Sequence, residues 1–322
     1  MIMMEKENKI LSIQLITIVV SAILIATFLL TPSLFEFTWN QALRDLLPGT
    51  QDFFRYITEL GGTLTYLCIF FIIFWGIDKR FGKSLLFIYV ANNFTNYYAK
   101  SIIANPRPDE SKWILISAGH LSTPSGHAMS SSVFWGYSAM KIKKWSIWII
   151  NILIIVLIGL SRMYLGVHWF GDILTGWLFG IIILTITWIF EEPLNSFLSK
   201  HDVVYIYLGL AFFGFIVMIL TQILYPISNL YDFGTEGGQM IGLGIGFALE
   251  HKFVNFDIHF DAGKKWKLIL RILIGLLVFS FLFLGLYLVI DTSIFWLNAL
   301  HYSITLIVGI FLWPLIFKKI AL

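Results

Sequence analysis

The chain has 322 residues, 58% of them hydrophobic and only 13% charged, with a net charge of +3. Soluble domains carry about 25% charged residues, so a soluble globular protein is excluded. The single cysteine, Cys68, excludes an intrachain disulfide framework, and no nucleic-acid partner is expected.

Crossing about 30 Å of hydrocarbon takes roughly 20 apolar residues in a helix. Apolar runs near that length predict spans at 10–30, 63–77, 85–103, 127–140, 145–160, 169–190, 203–224, 234–249, 268–290 and 297–317. The expected fold is an all-α polytopic membrane protein, because the ten-residue alternation of a transmembrane barrel is absent. The first run follows Lys6 and Lys9. It is too long for a typical signal-peptide core and lacks a clear small-x-small site after Leu30, so it reads as an uncleaved first helix.

With an even number of spans, both termini fall on one side. Placing them in the cytoplasm puts sixteen of the 22 Lys and Arg residues on inner segments, including Lys79, Arg80, Lys141, Lys143, Lys144, Lys265 and Lys267. Six remain outside: Arg44, Arg55, Lys100, Arg107, Lys112 and Arg162. That is a positive-inside bias, and it predicts a plasma-membrane protein whose polar motifs gather at the outer face.

Between the first two spans, residues 35–60 mix aromatics with Glu36, Arg44, Asp45, Asp52, Arg55 and Glu59. This pattern suits two short amphipathic helices on the outer leaflet, bordering a lateral entrance for a lipid. Further on, Glu191-Glu192-Pro193 is expected to break the sixth span and begin an inner linker. The chain thus divides into a six-helix core, 1–190, and a four-helix extension, 191–322. In the extension Gly234, Gly238, Gly242 and Gly246 recur every four residues. Such a stripe is a close-packing face for another helix, in this chain or in a second copy. Gly242-x-Gly244 is not a dinucleotide loop, since no strand precedes it.

The chemistry concentrates between residues 100 and 172. Lys100 ends the third span, with Asn93, Asn96 and Tyr97 on much the same helical face. Arg107 lies in Asn105-Pro106-Arg107-Pro108, where the prolines stiffen the loop. Arg162 is the third cation. Guanidinium groups hold phosphate through paired hydrogen bonds and lysine acts as a point charge. Pro124-Ser125-Gly126-His127 precedes the fourth span as a helix start. There free N–H groups suit an anion, Gly126 permits close approach, and Ser125 is either an N-cap or a donor. His168 and Asp172 stand four apart, so a carboxylate can orient one ring nitrogen and leave the other free as base or nucleophile. A metal-ligand pair is disfavoured, because three cations would repel a divalent ion.

Lys100-(six)-Arg107-Pro108, Pro124-Ser125-Gly126-His127 and Ser161-Arg162-(five)-His168-(three)-Asp172 resemble the three signature motifs of the type 2 phosphatidic acid phosphatase superfamily. The resemblance covers roughly residues 35–190. It implies a six-helix catalytic core in which His168 attacks phosphorus and Asp172 orients it. It also implies that His127 protonates the leaving oxygen and then activates water. Lys100, Arg107, Ser125, Gly126 and Arg162 would hold the phosphoryl oxygens, with no metal or other cofactor. The expected substrate is a lipid phosphate or pyrophosphate such as polyprenyl pyrophosphate, phosphatidylglycerol phosphate or phosphatidic acid. A phosphotransferase using the same intermediate, and a transporter or scramblase with a vestigial site, are the competing readings. His120 is expected to be a solvated loop residue, His201, His251 and His259 to lie on the inner side, and His301, near the outer start of the last span, to have an interfacial or packing role. Asp232 and Glu236 reach the outer face.

Overall fold

The computed structural model describes residues 2–115, 121–224, 231–258 and 265–322, with the side chains of 2–7, 224, 231 and 232 left out. The expectations for His120, His259 and Asp232 fall outside the described residues or side chains. The described residues are helical throughout apart from loops and one isolated bridge, Pro106 to Leu121.

The helices are α1 (Ile2–Leu29), α2 (Thr38–Leu46), α3 (Gln51–Glu59), α4 (Thr63–Gly76), α5 (Lys79–Ile103), α6 (Gly126–Ile142), α7 (Trp145–Tyr164), α8 (Phe170–Leu198), α9 (Val203–Leu224), α10 (Tyr231–Leu249), α11 (Lys265–Val289), α12 (Phe295–Ile307) and α13 (Trp313–Lys319). Every expected span lies in a helix, and the protein is an all-α, multi-pass membrane protein. Among the described residues six helical segments are long and apolar enough to cross a membrane, or seven if the bent pair α3 and α4 counts as one. This is fewer than the ten expected. The helices α4 and α6 have only 14 and 17 residues. In α5 and α10 the apolar run is interrupted by buried Asn92, Asn96, Lys100, Glu236 and Gln239.

The chain forms two compact units. The first comprises residues 1–66 and 91–195, the second 67–90 and 196–322. The second thus takes in residues 67–90, which a division at Glu191 leaves with the core.

In the first unit, α2 and α3 pack on α7 through Phe54, Tyr164 and Leu165, with Leu43 and Leu160 around them. The Phe54 and Tyr164 rings stack 4.4 Å apart. Gly166, just after α7, has φ +81°, a left-handed conformation that favours glycine. The helix α8 continues through Pro193 to Leu198, so the break expected there does not occur. A proline deletes one donor near the helix end, and Glu191 is held by the Tyr137 hydroxyl at 2.8 Å and by Lys141.

In the second unit the glycine stripe has its partner. A Cβ added to Gly242 would lie 2.8 Å from Ser303 Cα, and one at Gly234 2.5 Å from the Phe295 carbonyl. Both neighbours belong to α12, whose Ser303 hydroxyl donates to the Gly238 carbonyl at 3.0 Å. The stripe is therefore covered by α12 of the same chain and is not an exposed face for a second copy. His301 is buried on α12, with its Nε2 2.9 Å from the Phe283 carbonyl, the packing role of the two expected of it. At the other end of this unit Lys79 pairs with buried Glu250 at 2.7 Å.

Candidate active site

The candidate catalytic and phosphate-binding residues, Lys100, Arg107, Ser125, Gly126, His127, Arg162, His168 and Asp172, all belong to the first unit. They are carried by the end of α5, the loop after it, the start of α6, the end of α7 and the start of α8.

Asp172 stands three residues inside α8 and accepts from the Trp169 N–H at 2.8 Å, the reach-back of a capping box. It also accepts from His168 Nδ1 at 3.0 Å and from the hydroxyls of Ser122 and Thr123. A fully buried carboxylate is costly without such partners. Asn105 in turn donates to the Thr123 hydroxyl at 2.9 Å, and the Ser125 N–H donates to the Asp172 carbonyl at 2.9 Å. The first turns of α6 and α8 are thereby tied together.

His168 is buried, and its second nitrogen, Nε2, faces Arg107 Nη1 at 3.0 Å. Arg107 also donates to the Val167 carbonyl at 2.7 Å. Its loop is braced at both prolines: Trp169 donates to the Pro106 carbonyl at 2.8 Å and Trp113 to that of Pro108 at 2.9 Å. Lys100 is buried and donates to the carbonyls of Leu121 and Ser122 at 2.9 and 2.8 Å, so its ammonium also shapes the loop that leads into α6. Asn96 donates to the Pro124 carbonyl at 3.2 Å. Thus the polar face expected on the third span does turn inward.

Arg162 is buried near the end of α7 and donates to the Thr58 hydroxyl at 2.9 Å. Among the described residues its Nε–H has no hydrogen-bond partner. Ser125 is the N-cap of α6, accepting from the Ala128 N–H at 3.5 Å. Its own O–H remains a donor. His127 lies in the first turn of α6 beside the α3–α4 turn, where a Cβ added to Gly61 would come 2.9 Å from its Cδ2. Among the described residues no three His, Cys, Asp or Glu side chains converge as a metal site.

Ser122, Thr123, Asn40 and Thr58 escape the sequence reading. Ser122 and Thr123 adjoin Pro124, and that adjacency is the signal that points to them. Asn40 and Thr58 carry no signal beyond being polar on the inner side of an amphipathic helix.

Burial is the main force on the His168 imidazole, and Arg107, Lys100, Arg162 and His127 add to it, holding its pKa well below the usual 6.5. Folded His168 therefore stays neutral while the unfolded chain takes up a proton below about pH 6.5. The stability this gives is present above that pH and is lost as pH falls toward the folded value, at up to about 1.4 kcal/mol per pH unit. Thermal unfolding from pH 7 to 5 should accordingly show a smaller acid-induced drop in Tm for His168→Gln than for the wild type.

The structure thus sets three cations around a carboxylate-held histidine in a multi-pass helical membrane chain. Residues 81–196 match the PAP2 superfamily and residues 234–322 the PAP2 superfamily phosphatase, transmembrane extension. The chain thus carries a PAP2 superfamily domain and a PAP2 transmembrane extension. It is 28% identical over 252 residues to sphingosine-1-phosphate phosphatase 1 of Rattus norvegicus, covering 71% of this chain and 57% of the relative. It therefore spans little more than half of that relative. Phosphatidylglycerophosphatase B of Bacillus subtilis (strain 168) is 29% identical over 166 residues, covering 48% of this chain and 81% of that protein. The crystal structure of a transmembrane PAP2 type phosphatidylglycerolphosphate phosphatase from Bacillus subtilis aligns with a TM-score of 0.46 and 24% identity, over 55% of this chain and 96% of that one. The relatives are lipid phosphatases.

Proposed function

We propose that the protein hydrolyses the phosphate of a membrane lipid, a lipid monophosphate or pyrophosphate, through a phosphohistidine and without a metal. The observation that carries this is His168: its Nδ1 is held by Asp172 at 3.0 Å and its Nε2 faces the Arg107 guanidinium at 3.0 Å. A neutral imidazole oriented in this way has its lone pair aimed where a cation would seat a phosphoryl group.

In the first half-reaction His168 Nε2 attacks phosphorus while the bond to the leaving oxygen breaks, and His127 gives that oxygen a proton. In the second, His127 takes a proton from water, the water oxygen attacks phosphorus, and the P–N bond breaks to release phosphate. Arg107, Arg162, Lys100 and the N–H groups at the start of α6, with Ser125 and Gly126, hold the phosphoryl oxygens and stabilise the charge that develops on them. The unpartnered Arg162 Nε–H is a donor of the kind such an oxygen requires. The distribution of Lys and Arg supports a site at the outer face of the plasma membrane with both termini cytoplasmic.

Embedding the site in a multi-pass chain suits a substrate that is itself a lipid, and the names of the relatives supply candidates: sphingosine 1-phosphate and phosphatidylglycerol phosphate. Phosphatidic acid and polyprenyl pyrophosphate complete the panel. Purified protein in detergent should release inorganic phosphate from at least one of these four. No phosphate from any of them would overturn the reading, and a phosphorylated acceptor in place of free phosphate would make the protein a transferase.

A further inference from the structure

The geometry points to the amphipathic pair α2 and α3 as part of the catalytic apparatus, with Asn40 and Thr58 as positioning residues for His168 and Arg162. The inference rests on the phosphohistidine reading and assigns roles outside the three signature motifs.

Asn40 is the one buried residue of α2. Its amide nitrogen donates to the Met163 carbonyl at 2.7 Å and to the His168 carbonyl at 3.0 Å. It thus ties the end of α7 to the main chain of the nucleophile, over sequence separations of 123 and 128 residues. A buried amide is retained at such a position only when it is hydrogen-bonded, since an apolar residue would pack there at lower cost. On α3 the buried residues are Phe54 and Thr58. Phe54 packs against Tyr164, whereas the Thr58 hydroxyl accepts from Arg162 Nη1 at 2.9 Å. That bond turns a planar guanidinium, whose donors lie in a fixed fork, so that its remaining donors have one orientation.

The next turn reaches the third group. Gly61 lies so close to His127 and Ile158 that an added Cβ would fall 2.9 Å from His127 Cδ2 and 2.7 Å from Ile158 Cγ2. Within 22 residues the chain therefore meets the main chain of the nucleophile, an anion-binding arginine and the proton donor. Arg44 adds a further tie, donating to the Tyr164 carbonyl at 2.8 Å. The same helices expose Trp39, Leu46, Phe53 and Tyr56.

The two roles predict different kinetic signatures in the full-length protein in detergent. Thr58→Val removes the acceptor while keeping the shape of the side chain. It is expected to weaken inorganic phosphate, read as protection against thermal unfolding, by about ten-fold or more, the range for a hydrogen bond to a charged group. Thr58→Ser should recover most of that loss. Asn40→Ala is expected to lower kcat on p-nitrophenyl phosphate by about ten-fold while leaving KM within about two-fold, because it loosens the nucleophile and not the anion donors. If Thr58→Val binds phosphate as the wild type does, or if Thr58→Ser is as damaged as Thr58→Val, the assignment is overturned. Should Asn40→Ala fail to fold, the Thr58 pair decides alone. His168→Ala, measured alongside, separates the two ideas. Turnover by that variant sinks the phosphohistidine, whereas its inactivity beside an unaffected Thr58→Val sinks only the positioning role.

Discussion

Replacing His168 by alanine is expected to lower phosphate release by about 10⁴-fold or more, the scale on which removal of a catalytic nucleophile acts. The effect should fall on turnover and not on anion binding. Arg162 is held by Thr58 and Lys100 by the carbonyls of Leu121 and Ser122, and neither arrangement uses the imidazole. Inorganic phosphate should therefore still protect His168→Ala against heat. Brief exposure of the wild type to labelled substrate, followed by quenching in base, should trap an acid-labile phosphoprotein that the variant cannot form. Near-normal phosphate release by His168→Ala would exclude the mechanism.

The second large effect belongs to His127, and it depends on the leaving group. General acid catalysis contributes about 10²–10⁴-fold, and an alkoxide leaving from a lipid phosphate needs all of it. A nitrophenolate leaves without a proton. For His127→Ala the first half-reaction with p-nitrophenyl phosphate should proceed, giving a burst of nitrophenolate about equal to the enzyme present, while the second half-reaction stalls for want of a base. With a lipid phosphate both halves should be slow. Equal losses on the two substrates, with no burst, would show that His127 is not the acid.

Phosphoenzyme formation and its breakdown thus separate two histidines that the sequence places 41 positions apart. Their residue types and local spacing are legible because each rests on local geometry. Asp172, in the first turn of α8, meets His168 just ahead of that helix because only a short turn separates them, and a glycine at the start of α6 leaves its N–H groups open. The multi-pass helical character is legible for the same reason, since hydropathy over about 20 residues is a local property.

Other features depend on what lies across from a residue, which no window along the chain contains. Among the described residues length and composition mark six or seven helical segments as candidate spans against the ten apolar runs, and in α5 the residues that lower the hydropathy, Asn92, Asn96 and Lys100, are buried in the protein interior. A rule of thumb stops α8 at Pro193, yet the helix runs on, because a proline near a helix end removes a single donor. The spacing of Gly234, Gly238, Gly242 and Gly246 announces a close helix contact. Only the fold shows that α12 fills it.

By itself the sequence determined that this chain is a helical membrane protein, that its cations and two histidines form one group of motifs, and which residue types that group contains. The tertiary structure decided which side chains hold them: Ser122 and Thr123 on Asp172 from 50 and 49 residues away, Thr58 on Arg162 from 104 and Asn40 on the His168 carbonyl from 128. The physical reason is that a hydrogen bond acts over about 3 Å, and only packing brings residues so distant in the chain within that reach.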